Sequence, residues 1–191
     1  MIVVIAGPNG AGKSTAAPSL LQRTFGSIEF VNADTIARGL SGIDPDRQAF
    51  AAGRIMLTHI HNLAAMRRNF AFETTLASRT FAPFLQRLKA DRYRVHLVYF
   101  WVRSVDIAVH RVQLRVVSGG HSVPEATIRR RYYRSAHNLF HLYMPIVDVW
   151  EVVDNSLPHQ PEAIAIGGLN DDTMIYKDIA WQCLENLRNA T

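Results

Sequence analysis

The sequence predicts an α/β fold, a parallel β-sheet flanked by helices, on three observations. The chain opens on an apolar run, Ile2-Val3-Val4-Ile5-Ala6, which enters Gly7-Pro8-Asn9-Gly10-Ala11-Gly12-Lys13-Ser14-Thr15 and then a helical pattern from Ala16 to Arg23. This is the strand, glycine loop and helix of a P loop, matching G-x-x-x-x-G-K-[ST] in full. Further short apolar runs alternate with helical stretches. Those runs end in polar residues, which places Asp34, Glu73 and Asn155 on the sheet edge where doubly wound folds bind ligands.

The loop carries the first chemical assignment. Glycines let successive backbone N–H groups turn inward as an anion nest, backed by the positive end of the following helix. Lys13 is placed to reach the β- and γ-phosphates of ATP, Ser14 to ligate Mg²⁺ and Thr15 to touch the α-phosphate.

At 191 residues, with 48% apolar and 19% charged residues, the chain reads as one domain with an ordinary core. No run approaches the roughly 20 apolar residues of a membrane span, and the first strand lacks the basic leader of a signal sequence, so a cytoplasmic protein is expected. The single cysteine, Cys183, lies in a helical pattern and reads as packing. Lys and Arg number 21 against 16 Asp and Glu, with arginines gathered between Arg103 and Arg134. Such clustering favours a segment that clamps phosphate groups over a diffuse nucleic-acid face.

After the first helix, residues 28–34 read as a short strand with Asp34 and Thr35 at its end. A carboxylate there can take the proton of a substrate hydroxyl as it attacks the γ-phosphate; the same residue could instead cap a helix over 35–40. Asp44-Pro45-Asp46 marks a turn, with Asp44 as a cap. A long helix is expected from Arg47 to Arg68, with Phe50, Ile55, Leu57, Ile60, Leu63 and Met66 facing the core. His59 and His61 cannot share a face of it.

The next strand, Phe70-Ala71-Phe72, leads into Glu73-Thr74-Thr75-Leu76-Ala77-Ser78-Arg79. Glu73 and Thr75 suit the hydroxyls or amides of an acceptor, and Arg79 suits a phosphate, although Thr75 or Ser78 could equally cap a helix. A helix over 81–89 precedes the most hydrophobic later strand, 95–102, which should lie beside the first. It ends in Arg103-Ser104, without the Asp-Glu pair of ATP-driven motors.

A helix over 105–117 carries Arg111 and Arg115 on one face. Ser118-Gly119-Gly120-His121 follows, then a basic helix over 126–142 with Arg129, Arg130, Arg131 and Arg134. Helix, glycine hinge and helix describe an arginine-rich lid over about residues 111–134, with Arg115, Arg130 and Arg131 as candidates to neutralise the transferring phosphoryl group. Ile128, Tyr132, Ser135 and Leu139 form the packed stripe of the second helix. His137 and His141 are four apart but lack the Glu of a zinc helix. A last parallel strand over 147–153 closes in Asp154-Asn155-Ser156, where Asn155 and Ser156 are candidates to contact the base. A hairpin (163–166 and 173–176) and a final helix end the chain.

Gly-Pro-Asn-Gly-Ala-Gly-Lys-Ser-Thr, Asn-Ala-Asp-Thr, Phe-Glu-Thr-Thr, Ser-Gly-Gly-His-x-Val-Pro-Glu, Arg-Arg-Arg-Tyr and Asp-Asn-Ser occur in that order over residues 1–156. The set resembles the bacterial zeta toxins, a family of small P-loop kinases. The resemblance implies a kinase-like parallel sheet with a lid, ATP and Mg²⁺ as cofactors, an antitoxin as protein partner, and phosphorylation of the 3′-hydroxyl of UDP-N-acetylglucosamine. It implies Asp34 as base, Glu73 and Thr75 as the sugar's holders and lid arginines as the phosphate clamp. Two rival classes remain. Val117-Ser118-Gly119-Gly120-His121 imitates the signature of transporter ATPases, but no Asp-Glu pair follows. A nucleic-acid-directed kinase or binding protein would suit the basic balance, but no exposed strand interleaves aromatic and basic residues.

Overall fold

The computed structural model describes residues 1–189 apart from 27, 42, 45, 121, 158, 159, 170 and 171. Parallel strands β1 (Ile2–Ala6), β2 (Glu29–Val31), β3 (Phe70–Thr74), β4 (Val95–Trp101) and β5 (Val149–Asp154) stand in the order β2-β3-β1-β4-β5. Antiparallel β6 (Glu162–Gly168) and β7 (Met174–Ile175) extend the β5 edge. Helices α1 (Lys13–Thr24), α2 (Ala33–Leu40), α3 (Ala49–Ala65), α4 (Phe81–Ala90), α5 (Val105–Val117), α6 (Glu125–Asn138) and α7 (Asp178–Glu185) complete it. This is the sheet of P-loop kinase folds. No described helix is long and apolar enough to cross a membrane.

β1 runs between β3 and β4 and is buried on both faces, which is why its sequence is apolar without alternation. The pleat divides its side chains. Val3 and Ile5 meet Ala17 and Leu21 of α1 in a smaller core, whereas Ile2 and Val4 join Phe70, Phe72 and Leu97 in a larger one roofed by α3, α4 and α6.

Several local expectations are corrected. α3 buries Ala52, Met56, Ile60 and Leu63, which recur at 3.6-residue spacing, and leaves Phe50, Ile55 and Met66 exposed. β2 spans Glu29–Val31 and stops short of the expected end at Asp34. β6 pairs with β5 as well as with β7, so the hairpin belongs to the main sheet; Asn170 and Asp171 of its turn lie outside the described residues. Cys183 is exposed, because α7 turns Ala180, Trp181 and Leu184 inward instead. α6 gives way to a π-helical turn, Leu139–Tyr143.

Candidate active site

The P loop needs its glycines for space as well as for conformation. At Gly7 φ is +136°, and a Cβ would stand 2.0 Å from the Phe100 carbonyl oxygen, so no other residue fits beside β4. Gly12 takes the left-handed conformation that starts α1 at Lys13. The Lys13 ammonium donates to the Pro8 carbonyl at 3.0 Å and lies 3.6 Å from a Glu73 oxygen. Its burial lowers its pKa, opposed by the charges of Glu73 and Asp34.

The pleat of β3 sends Phe70 and Phe72 to the large core and Ala71 to the α1 side; Glu73 follows Ala71 and meets the P loop. Ser14 donates its hydroxyl to Glu73, with 2.9 and 2.8 Å to the two carboxylate oxygens, and Asn32 Nδ2 donates to Oε2 at 2.7 Å. The hydroxyl and carboxylate form an all-oxygen set at the phosphate end of the cavity, a donor chemistry that fits Mg²⁺. Asn32 Oδ1 accepts the backbone N–H groups of Asp34 and Thr35, at 2.7 and 3.2 Å. Asn32 is therefore the cap of α2, and the Asp34 carboxylate is left to the cavity that it lines.

On the opposite side, Arg131 of α6 reaches the loop and donates to Asn9 Oδ1 at 3.2 Å. Burial and the neighbouring Arg130 lower the pKa of Arg131, while the charge of Asp34 raises it. Arg115 also lines the cavity. Arg111 donates to the carbonyls of Asn155 (2.7 Å) and Ser156 (2.8 Å), and Asn155 Nδ2 donates to the Ala11 carbonyl at 2.8 Å. The segment after β5 is thus laced to both α5 and the P loop. Arg103 at the end of β4 pairs with Asp154 at 2.6 Å.

The two helices of the expected lid are firmly tied. Tyr132 accepts from the Trp101 indole at 3.0 Å and donates to the Val102 carbonyl at 2.7 Å, and Tyr99 bonds Ser135 at 3.0 Å. Ile128, Tyr132, Ser135 and Leu139 are buried, as their spacing predicts. The glycines after α5 close that helix: Gly119, at φ +79°, donates to Val116, and Gly120 donates to Arg115. That is the two-bond pattern of a Schellman cap. His121 lies outside the described residues.

Thr75, Ser78 and Thr80 face the cavity from the loop between β3 and α4. Leu76 takes a left-handed conformation there (φ 59°), and its carbonyl accepts from Asn138 Nδ2 at 2.8 Å. Tyr143 donates to the Ser78 carbonyl at 2.7 Å, and burial pushes its phenol up to about 12. The opposite wall is α3, through Phe50, Gly53, Arg54 and Leu57.

One cavity of about 890 Å³, ample for two small ligands, therefore gathers most of the expected residues. Its lining takes Asn9, Gly10, Gly12, Lys13, Ser14 and Thr15 from the loop. It also takes Asp34, Glu73, Thr75, Arg115, Arg131 and Asn155. Gly7, Pro8 and Ala11 shape the loop behind it. Ser156 and three further expected residues do not line it either. Thr35 accepts from Arg38 at 3.3 Å, and Arg79 and Arg130 are exposed. Asn32 and the α3 wall are not among the site residues expected from the sequence. An Asn two residues before Asp34 is a legible cap signal, whereas the spacing of Phe50 is that of a core residue, although the ring is exposed. Among the described residues no His, Cys, Asp and Glu cluster could hold a metal on its own.

Comparison with known proteins places this geometry. A family profile described as an AAA domain (AAA_33) matches residues 2–135. An uncharacterized protein of Haemophilus influenzae is 30% identical over 129 residues, 66% of this chain and 88% of the relative. Among solved structures, the AvrRxo1-ORF1:AvrRxo1-ORF2 complex with ATP matches with a TM-score of 0.75 at 12% identity, covering 98% of this chain and 63% of that one. This chain thus spans under two thirds of its length. The PezAT chromosomal toxin–antitoxin system of Streptococcus pneumoniae matches with a TM-score of 0.64 at 13% identity, covering 99% and 87%. At these identities the likeness is one of fold.

Proposed function

The chain belongs to the AAA domain family of P-loop proteins, and from that premise we propose that it is an ATP-dependent kinase of the zeta-toxin type, acting on a hydroxyl of a nucleotide sugar such as UDP-N-acetylglucosamine. One observation carries the reading. A single cavity sets the P-loop Lys13 and Ser14 between Asp34 with the β3–α4 loop on one side and Arg111, Arg115 and Arg131 on the other. A nucleotide-binding loop without an acceptor site would need only half of that arrangement.

In this reading ATP lies with its phosphates in the loop and its base toward Asn155. Asp34 accepts the proton of the acceptor hydroxyl, whose oxygen bonds the γ-phosphorus as the bond to the β-phosphate oxygen breaks and ADP leaves. Lys13, Arg115 and Arg131 stabilise the charge on the transferring group. Ser14 and Glu73 would hold Mg²⁺, which when bound neutralises β- and γ-phosphate oxygens. The resemblance assigns Glu73 to the sugar; its contacts with Ser14 and Lys13 favour the metal side. Thr75 and the neighbouring Ser78 remain to meet the acceptor. A cytoplasmic enzyme restrained by an antitoxin protein completes the proposal, supported by the PezAT likeness.

The test is incubation with Mg²⁺-ATP and a panel of UDP-sugars, nucleosides and a 5′-hydroxyl oligonucleotide, with products read by mass. A UDP-sugar gaining one phosphate is the expected result. Phosphate on the oligonucleotide alone would replace the substrate class, and ATP hydrolysis with no phosphorylated acceptor would remove the kinase reading.

A further inference from the structure

The acceptor side of the cavity contains a feature that folding alone does not require. Gly53 lies inside α3, where glycine costs about 1 kcal/mol relative to alanine. Its φ is not among the positive ones, and a Cβ there would meet nothing within 4 Å. Neither backbone conformation nor packing demands a glycine. What the missing side chain leaves open is the cavity that Gly53 lines.

Phe50 and Arg54 stand on the same face, three residues before and one after, and Leu57 follows at a further turn. Phe50 is 80% exposed, an unusual state for a phenyl ring facing a cavity. Among the described residues no carboxylate lies within salt-bridge distance of Arg54. The sheet order sets this wall apart from the Arg111 and Asn155 side of the cavity. Arg111 and Asn155 lie beyond β4 and β5, on one side of the P loop, whereas α3 packs with β2 and β3 on the other. A nucleotide extending from the loop toward Asn155 leaves the α3 wall to the second substrate.

We propose that Phe50, Gly53 and Arg54 form the acceptor subsite, taking a ring-bearing molecule with a phosphate group. Phe50 stacks on the ring, Gly53 admits it close to the helix backbone, and Arg54 pairs with the phosphate. The inference rests on the kinase reading for its second substrate but is tested by binding alone.

The experiment uses the full chain saturated with a non-hydrolysable ATP analogue and Mg²⁺, titrated calorimetrically with UDP-N-acetylglucosamine, UMP and uridine. The expected result is binding of UMP and UDP-N-acetylglucosamine at least 10-fold tighter than uridine. Arg54→Ala should remove that preference, and Gly53→Leu should weaken the two phosphate-bearing probes by at least 10-fold. Affinity for the ATP analogue should stay within 2-fold in both variants, which also shows that they fold. Probe binding unchanged in Gly53→Leu and Arg54→Ala, absence of binding to the wild type, or equal loss of the ATP analogue would each overturn the proposal. The kinase reading fails separately: bound probes that never gain phosphate remove it while leaving the subsite, and transfer with unchanged KM in Gly53→Leu does the reverse.

Discussion

Ser14 Oγ lies 2.9 and 2.8 Å from the two carboxylate oxygens of Glu73, across the boundary between α1 and β3. The relationship joins the motif residue expected to hold Mg²⁺ with a carboxylate that the sequence assigns only to an acceptor. Glu73→Gln keeps the shape and removes the charge. We expect kcat to fall about 10²-fold or more, as when an electrostatic partner of the transition state is lost, with the Mg²⁺ requirement shifted to higher concentration. A rise in acceptor KM at unchanged kcat and Mg²⁺ dependence would return Glu73 to the sugar.

In the proposed reaction Asp34 takes the acceptor's proton, and Asn32 already caps its helix. Asp34→Asn should therefore lower kcat by about 10²–10⁴-fold with little loss of stability. ATP affinity measured by calorimetry should be nearly unchanged, whereas Lys13→Ala should weaken it strongly. Equal loss of ATP affinity in the two variants would move Asp34 from proton transfer to metal or structural duty.

Lys13 supplies a pH dependence whose sign follows from burial. Its pKa in the nucleotide-free protein lies below the ordinary 10.5. Between the lowered value and 10.5 the unfolded chain binds more protons than the folded one, so stability without nucleotide rises with pH across that window. Phosphates favour the ammonium, so nucleotide binding takes up a proton and affinity falls as pH climbs through the lowered value. Calorimetry at one alkaline pH in two buffers of different ionisation enthalpy should report that uptake, and its absence would contradict the assignment.

The glycines separate two kinds of constraint. Gly7→Ala forces a Cβ onto the Phe100 carbonyl at a φ of +136° and should destabilise by about 2 kcal/mol or more. Gly53→Ala meets open space inside a helix and should stabilise by about 1 kcal/mol, a rise of roughly 2–4 °C in Tm for a chain of this size. Thermal melts of both variants decide it, and a destabilised Gly53→Ala would mean that α3 packs more tightly than its surroundings indicate.

Much of the site was legible because its chemistry is local in sequence. The P loop announces itself in nine residues, and Asp34 and Asn155 follow from the rule that ligands gather at strand ends. The rest depends on facing. Glu73 meets Ser14 because β3 continues two residues past the apolar run, so the pleat turns its side chain toward α1. Phe50 satisfies helical spacing as well as Met56 does, and only the packed sheet decides which face is buried. Arg111 shares a face with Arg115, yet its bonds to the carbonyls of Asn155 and Ser156 arise from a contact over 44 residues away in sequence. Ser118-Gly119-Gly120 reads as a hinge in the sequence, and its role in closing α5 shows only in the bonds from Gly119 and Gly120 to Val116 and Arg115.

α6 contacts both halves of the cavity. Arg131 holds Asn9 of the P loop, while Asn138 at its end and Tyr143 in the following π turn hold the carbonyls of Leu76 and Ser78 in the β3–α4 loop. The π turn matters, because the wider coil shifts Tyr143 off the azimuth that a continued α-helix would give it. Tyr143→Phe deletes one hydrogen bond and no volume, so stability should fall by only about 1 kcal/mol. The Ser78 carbonyl then loses its anchor, and Thr75 and Ser78 with it lose a fixed position. We expect acceptor KM to rise several-fold at unchanged ATP affinity. A loss confined to Tm, with both substrates' constants intact, would make the bond purely structural; a loss of ATP affinity would mean that α6 couples the two loops more rigidly than these separate contacts imply.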